Sequence, residues 1–428
     1  MQPGTHGERS NWTTRGGKTA PLISSNLQSP DVIIVGGDIM GTSLAWQLAR
    51  RGAGRVTLLE RSVVADGASG KTGALLRRHY SNRPEAILAH RGWQTFAAWP
   101  EFVGGDPVHI PTGLIVTVDT SPGHEANVER LFRNVALQNS IGIPSRVVTR
   151  EELRELQPLA TWGDVTYAAY EPDSGYVDAI AATRGMARAA HDAGAIIREG
   201  TPVLCVETTG NRVRGVRTAS GLIPAETVVV AAGPWTPRLL MGTGVDVPIT
   251  ALRVQVAILQ RPLAVPSHMV LLDTAAGIFA RPWAPGRTLI GVGGGDQHDP
   301  VDPDRHEPRN DPGYGQLAID SLARRIPAMK DAVYLHGHAG LYDMTPDAHP
   351  IIGAAGPDGL YLMAGFSGAG FKKGPAVAEA LTDLLLSPGG PSWVDLHPFR
   401  LERFATDAWR QPWSADEYTF SSNFGHGL

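Results

Sequence analysis

Asp-Val-Ile-Ile-Val-Gly-Gly-Asp-Ile-Met-Gly-Thr-Ser-Leu-Ala-Trp-Gln-Leu-Ala-Arg-Arg, residues 31–51, reads as a strand, a glycine turn and a helix. Asp31–Val35 is a short, mainly apolar run. Gly41–Arg51 places Leu44, Ala45, Leu48 and Ala49 at helical spacing, and Gly52 stops the helix. Val56–Leu59 is a second apolar strand, closed by Glu60. A β–α–β unit of this kind binds a dinucleotide when its turn carries Gly-x-Gly-x-x-Gly and an acid ends the second strand. The turn here is Gly36-Gly37-Asp38-Ile39-Met40-Gly41. Gly36 makes the tight bend, Gly41 permits helix–strand packing, and Glu60 can hydrogen-bond a ribose hydroxyl.

The position where the backbone would nearly touch a pyrophosphate is Asp38 instead of glycine. A carboxylate ~4 Å from a phosphate charge costs on the order of 4 kcal/mol at an effective dielectric of 20. The helix dipole returns about 0.3–1 kcal/mol, up to ~2 when partly buried. The ligand is then held roughly 10²–10³-fold more weakly, each ~1.4 kcal/mol being tenfold. Asp38 can also cap its own helix, occupying N–H groups that the phosphate would use. The alternative is a carboxylate turned outward with little effect.

A second informative stretch is Gly-Phe-Ser-Gly-Ala-Gly-Phe-Lys, residues 365–372. The apolar run Leu360–Ala364 leads into it as a strand, and Pro375–Leu386 follows with helical spacing. Strand, glycine-rich loop and helix turn backbone N–H groups and a helix N-terminus toward a ligand. Lys372 adds a positive charge beside the helix start.

Length and composition limit the choices. At 428 residues the chain exceeds one ordinary core and suggests two domains. A net charge of −4 excludes a general attraction to nucleic acid or anionic membrane. Cys205 is the only cysteine, so an internal disulfide and a cysteine metal site are excluded and a reducing compartment fits. Residues 1–30 are polar and lack an apolar core of secretory-signal length, which predicts a disordered tail; a transit peptide is the alternative, with Glu8 the single acid. No window approaches the roughly 20 apolar residues of a membrane span. A soluble, cytoplasmic protein is expected.

Helices are predicted at 84–99, 125–140, 179–193 and 314–326, and Thr149-Arg-Glu-Glu152 is a capping box. Strands are predicted at 195–198, 202–206, 212–217 and 227–231, through much of 250–300, and at 332–341. Nucleotide-type signals recur at 31–77, 203–235 and 336–386, with unmarked segments between. The expected division is a discontinuous nucleotide domain (31–80, 166–245, 331–400), a substrate domain (81–165, 246–330) and a C-terminal tail (401–428). In that tail Trp409, Trp413, Tyr418 and Phe420 are expected to pack on the domain, with a partner surface as the alternative.

Taken together, these segments resemble the D-amino-acid-oxidase family of flavoenzymes, in particular its sarcosine-oxidase-like branch. The residues that carry the likeness are the 31–60 unit, Ala65–Tyr80, Thr227–Trp235, His338–Gly353 and the 365–372 loop. The resemblance implies an α/β chain with a Rossmann-like FAD-binding domain and an inserted α+β substrate domain on a largely antiparallel sheet. It implies FAD contacts from Gly36, Asp38, Ile39, Met40, Gly41, Glu60 and Arg61, and from Ser69, Lys71 and Thr72 to phosphate or ribityl oxygens. Val203 or Val206 would flank the adenine, with Ala232, Gly233 and Trp235 nearby. Gly340, Gly368, Ala369, Gly370, Phe371 and Lys372 would lie by the isoalloxazine. Gly340 matches the position of the cysteine that tethers FAD in sarcosine oxidases, so noncovalent FAD is expected unless a histidine is the link.

Oxidising an amine beside a carboxylate needs a cation on the carboxylate, a neutral nitrogen, and positive charge near the reduced flavin. The resemblance assigns Lys372 and Arg77 to the carboxylate, although Arg77 and Arg78 are adjacent and either could point inward. His79, Tyr80, Tyr342 and His349 are candidates to shape the pocket or tune the amine proton. Relatives of this type use a lysine over the flavin to promote reaction with oxygen. No lysine occurs between Lys71 and Lys330, and Arg281 and Arg287 are the basic residues of the corresponding region. Slow reaction with oxygen, and a quinone or electron-transfer protein as acceptor, are therefore expected. The leading reading is oxidation of the C–N bond of an amino acid, N-methyl amino acid or cyclic imino acid. The alternatives are a 2-hydroxy-acid oxidoreductase and a flavin-poor partner subunit disabled at Asp38.

Overall fold

The computed structural model describes residues 31–293 and 300–418. The tail expected at 1–30 and Phe420 lie outside them. Strand β1 (Val32–Val35) is buried along its length and pairs in parallel with β2 (Val56–Leu59) and with Thr227–Val230. Helix α1 (Ile39–Arg50) crosses between β1 and β2. The full sheet has six strands, in the order Ile351–Ala354, Leu360–Ala364, Thr227–Val230, β1, β2, Ile196–Arg198. All neighbours are parallel except Ile351–Ala354, which runs antiparallel to Leu360–Ala364.

One face of this sheet buries α1 through Leu44 and Leu48, together with the helices Ala179–Asp192 and Gly374–Leu386. A three-stranded meander, Val203–Thr209, Arg212–Thr218 and Gly221–Pro224, covers the other face. Val206, Val213 and Val216 pack there against Ile33, Val228 and Val230. This is a Rossmann-like parallel sheet with helices on one face and a β-meander on the other.

A second sheet holds eight strands, with Val333–Met344, Thr250–Gln260, Arg287–Val292 and Ile278–Trp283 in one half. Val270–Asp273, Leu114–Thr117, Tyr167–Glu171 and Arg146–Thr149 complete it. Its pairs are antiparallel except Leu114–Thr117 with Val270–Asp273. Helix Tyr314–Arg325 packs on one face. The Tyr314 hydroxyl accepts from Val292 N (3.1 Å) and donates to Gln255 O (2.7 Å), tying that helix to two strands. The expected capping box is present, with Thr149 and Glu152 each accepting from the other's backbone N–H.

The strands distribute differently from the expected division. Tyr167–Glu171 and Val333–Met344 both join the eight-stranded sheet. Val333–Met344, twelve residues long, pairs with Thr250–Gln260 through all but Leu335, and at about 3.4 Å per residue it is long enough to reach from that sheet into the nucleotide side. Helix α2 (Ala68–Lys71) follows β2, and α3 (Arg83–Ala97) packs against Gly374–Leu386. That approach is close: a Cβ on Gly92 would sit 2.0 Å from Lys372 O, so only glycine fits.

The C-terminal stretch to Tyr418 packs inward. The Trp413 ring stacks on His349 at 3.8 Å, and Tyr418 is buried. No helix among the described residues is long and apolar enough to cross a membrane.

Candidate active site

An elongated cavity of about 450 Å³ opens along the C-terminal ends of the parallel strands, the usual place for ligands in such sheets. Glu60, Arg61 and Val203 line one end, Gly36–Met40 with Ser69, Lys71 and Thr72 the middle, and Gly340–Asp343 with Gly368, Gly370 and Phe371 the other end. Ala232, Gly233 and Trp235 form part of the wall.

At the first end, Glu60 Oε2 accepts from Gly37 N (2.7 Å) and Oε1 from Ser62 N (2.8 Å), so backbone donors hold the acid at the end of β2. Arg61 lies 4.0 Å over the Trp235 ring and donates to Asp304 (2.9 Å). Asp304 also accepts from Trp235 Nε1 (2.7 Å) and from Arg238, which pairs with Asp302 at 2.6 Å. This clasp joins the segment before the helix Tyr314–Arg325 to the nucleotide side. Val206 is not in the cavity: strand alternation turns its side chain into the core against the sheet, leaving Val203 at the wall.

In the middle, Asp38 stands at the N-cap of α1 but does not cap its own helix. Its Oδ2 accepts from Ser69 N (3.2 Å), and Ser69 Oγ accepts from Ile39 N (3.0 Å). Burial pushes the Asp38 carboxyl up to about 6; Glu60 adds to the rise, while the Ser69 N–H and Lys71 oppose it. The Lys71 ammonium donates to Asp66 O. Its methylenes fill the space at Gly340, where a Cβ would lie 3.1 Å from Lys71 Cβ.

At the far end, Asp343 Oδ2 accepts from Gly365 N (2.6 Å), and burial pushes its carboxyl up to about 6 against those backbone donors. Ser367 holds a left-handed φ of 50°, with its hydroxyl against Thr345 N (3.2 Å). Gly368 is also left-handed, and a Cβ there would meet the Tyr342 ring at 2.6 Å. Ala369 turns its methyl away, against Tyr80, Ala86 and Ala89.

Behind this loop lies a group of buried cations. Lys372 Nζ donates to the Tyr80 hydroxyl (3.2 Å) and to Ala369 O (3.4 Å). Arg77 stacks 4.2 Å over the Tyr80 ring and donates to His79 O (2.7 Å). Burial pulls the Lys372 ammonium down to about 8, with Arg77 and Lys373 adding to the fall. Burial alone would raise the Tyr80 phenol, but Arg77, Lys372 and Lys373 bring it down to about 8. Arg78 points elsewhere: its guanidinium lies 4.1 Å over Trp93, and its Nε donates to Ser174 Oγ (3.2 Å). Lys373 is paired with Glu85, which also meets His349 Nδ1 at 3.0 Å.

His79, a candidate from sequence, does not reach the cavity. It is fully buried between Gln138 (3.2 Å) and the Tyr418 hydroxyl, and burial with Arg77 nearby pulls it down to about 3, so it stays neutral. Lys372 and Arg77 also lie outside the cavity lining, beside its Tyr342 end, where Arg77 is close enough to act on the Tyr342 phenol.

A family model described as FAD dependent oxidoreductase, DAO, matches residues 31–384. The chain belongs to that family. It is 28% identical over 389 residues to the peroxisomal sarcosine oxidase of Homo sapiens, covering 87% of this chain and 96% of that protein. It is 29% identical over 377 residues to the 4-methylaminobutanoate oxidase (formaldehyde-forming) of Paenarthrobacter nicotinovorans, 86% of this chain but only 45% of that longer protein. Among solved structures it is similar to L-proline dehydrogenase from P. horikoshii, with a TM-score of 0.79 and 26% identity over 88% of this chain and 98% of that one.

This DAO-family protein is thus an FAD-dependent oxidoreductase. The residues present fit FAD at both ends: an acid held by backbone N–H groups ends β2, and the glycines of the 365–372 loop bring main chain up to the Tyr342 end. The middle, at Asp38, is the departure. Sequence reasoning missed Asp343, Asp304 and the Glu85–Lys373 pair that His349 joins. Asp343 sits two residues before the Thr-Pro turn of a recognised segment and could have been suspected; Asp304 and Glu85 carry no local signal.

Proposed function

We propose that this DAO-family protein oxidises the C–N bond of a small amino acid, N-methyl amino acid or cyclic imino acid whose carboxylate is held by Lys372 and Arg77. The observation that carries this reading is the contrast between two adjacent buried lysines. Lys373 is paired with Glu85, whereas no carboxylate among the described residues lies within ion-pair distance of Lys372. A buried ammonium without a counter-charge is costly, and a substrate carboxylate would supply one. Bound FAD supplies the two-electron acceptor. Tyr342 at the cavity wall would pack on the substrate beside the loop, and the Tyr80 phenol, brought down by three cations, would share a proton with the incoming amine.

Several features bear on the alternatives. A 2-hydroxy acid needs a base for its hydroxyl. Among the described residues, the one histidine lining the cavity is His306, whose Nδ1 lies 3.1 Å from Pro303 O, and His79 is neutral and tied. The partner-subunit reading rests on Asp38 alone. As acceptor, the stretch Ile278–Val292 offers Arg281, buried and bonded to Gly73 O and Pro282 O, and Arg287, exposed. This supports a quinone or electron-transfer protein in place of oxygen. Gly340, crowded by Lys71, supports noncovalent FAD.

The test is binding of a redox-inert carboxylate such as propionate, read from the flavin spectrum. Lys372→Met and Arg77→Met should each weaken it about 10–100-fold, the loss of one charge-assisted hydrogen bond. FAD binding should be retained, and glycine, sarcosine or proline should bleach the flavin anaerobically. An unchanged propionate affinity in Lys372→Met, or bleaching by 2-hydroxy acids alone, overturns the proposal.

A further inference from the structure

Asp38 and Ser69 join the starts of α1 and α2 in a reciprocal arrangement. The side chain of each accepts a hydrogen bond from the other helix, Asp38 Oδ2 from Ser69 N (3.2 Å) and Ser69 Oγ from Ile39 N (3.0 Å). The carboxylate lies close against Gly67, where a Cβ would fall 2.4 Å from Asp38 Oδ2. Asp38, Gly67 and Ser69 all line the middle of the cavity, so the carboxylate does not turn outward.

The charged groups facing Asp38 do not neutralise it. From β2 comes Glu60, a second carboxylate, anchored on Gly37 N. From α2 comes Lys71, whose ammonium is directed to Asp66 O. A pyrophosphate entering the same stretch would add negative charge to two carboxylates.

We infer that FAD binding to this chain takes up a proton at Asp38, so that the cofactor is held more tightly as the pH falls through neutrality. A protonated Asp38 keeps its carbonyl oxygen for Ser69 N and gains an O–H, which converts a repulsion against phosphate into a donated hydrogen bond. The burial that pushes Asp38 up to about 6 in the free chain brings that proton within reach of neutral pH. The sign follows from linkage. The bound form holds the proton at higher pH than the free form, so affinity is full below about 6. Above that value it falls, by up to about tenfold per pH unit, until the bound carboxyl also ionises. The inference rests on FAD occupying this cavity.

The experiment is calorimetric titration of FAD into the full chain stripped of flavin, at pH 6, 7 and 8, in HEPES and in Tris. Wild type should take up close to one proton per FAD at pH 7.5, read from the difference between buffers, and its Kd should rise up to about tenfold from pH 7 to 8. Asp38→Asn, which keeps the size but cannot ionise, and Asp38→Gly should show no proton uptake and a flat Kd. Equal proton uptake in Asp38→Asn, or a flat profile in wild type that binds FAD, overturns the inference alone. No FAD binding by wild type or either variant at any pH overturns the assignment of FAD to this cavity and the inference with it.

Discussion

Glu85 offers a direct measure of what the buried charges are worth. It is 2% exposed and stands between Lys373, fully buried, and His349, 4% exposed at its side chain. Asn82 Nδ2 donates to the same carboxylate (2.9 Å). Burial alone would raise the Glu85 carboxyl, but Lys373 and His349 outweigh it and hold the group well below the usual range. Glu85→Gln keeps the shape, removes the charge and leaves Lys373 uncompensated. Breaking a buried pair from one side costs about 3–5 kcal/mol. With about 2.1 cal/mol/K of unfolding entropy per residue, this chain of 428 residues should lose about 3–6 °C in Tm. The assay is urea unfolding at pH 7.5 and fixed FAD, for Glu85→Gln, Lys373→Met and the double variant. The double variant should be more stable than the sum of the single losses predicts by about 2 kcal/mol. A Glu85→Gln loss below about 1 kcal/mol, or additivity of the two changes, would refute the reasoning.

His349 should give the same network a pH dependence. Burial opposes its charge, but Glu85 and Glu417 raise it to about 9. A folded value above the ordinary 6.5 means stability fully present below about 6.5 and lost as pH rises through about 9, so the urea midpoint should fall over that window. His349→Gln should flatten the slope; an identical slope in that variant would assign it to another group. For the acceptor, stopped-flow reoxidation of the substrate-reduced enzyme should be slower with oxygen than with a soluble quinone. Rapid peroxide formation matching turnover would contradict that expectation.

The parts legible from sequence were those whose signals are local. The β1–α1–β2 unit, the strand Leu360–Ala364 with its glycine loop and helix, and the Thr149–Glu152 capping box all announce themselves within a few residues. Long-range partners do not. His79 was a reasonable candidate beside Arg77 until Tyr418, 339 residues away, is seen to claim its ring. Val206 was one of two choices on a strand whose alternation could not be phased without knowing which face meets the sheet. Asp38 was recognised as a defect in a motif. Its partner Ser69 is 31 residues distant, so its engagement there, in place of capping its own helix, was not visible. Membership of Val333–Met344 in the second sheet depends on pairing with Thr250–Gln260, a register that no single segment encodes.

The position of β1 in the middle of its sheet has a consequence for how the chain comes to be folded. One neighbour, β2, is made almost at once, but the other, Thr227–Val230, is encoded roughly 195 residues later, about 10–40 s at 5–20 residues per second. Through that interval a nascent chain carries Val-Ile-Ile-Val with one edge unsatisfied, and the sheet is not complete until Leu360–Ala364 has also emerged. Such non-local pairing folds slowly and exposes strand edges to other chains. Yield in a heterologous host should therefore depend on elongation rate and on chaperones that shield the ribosome-bound intermediate.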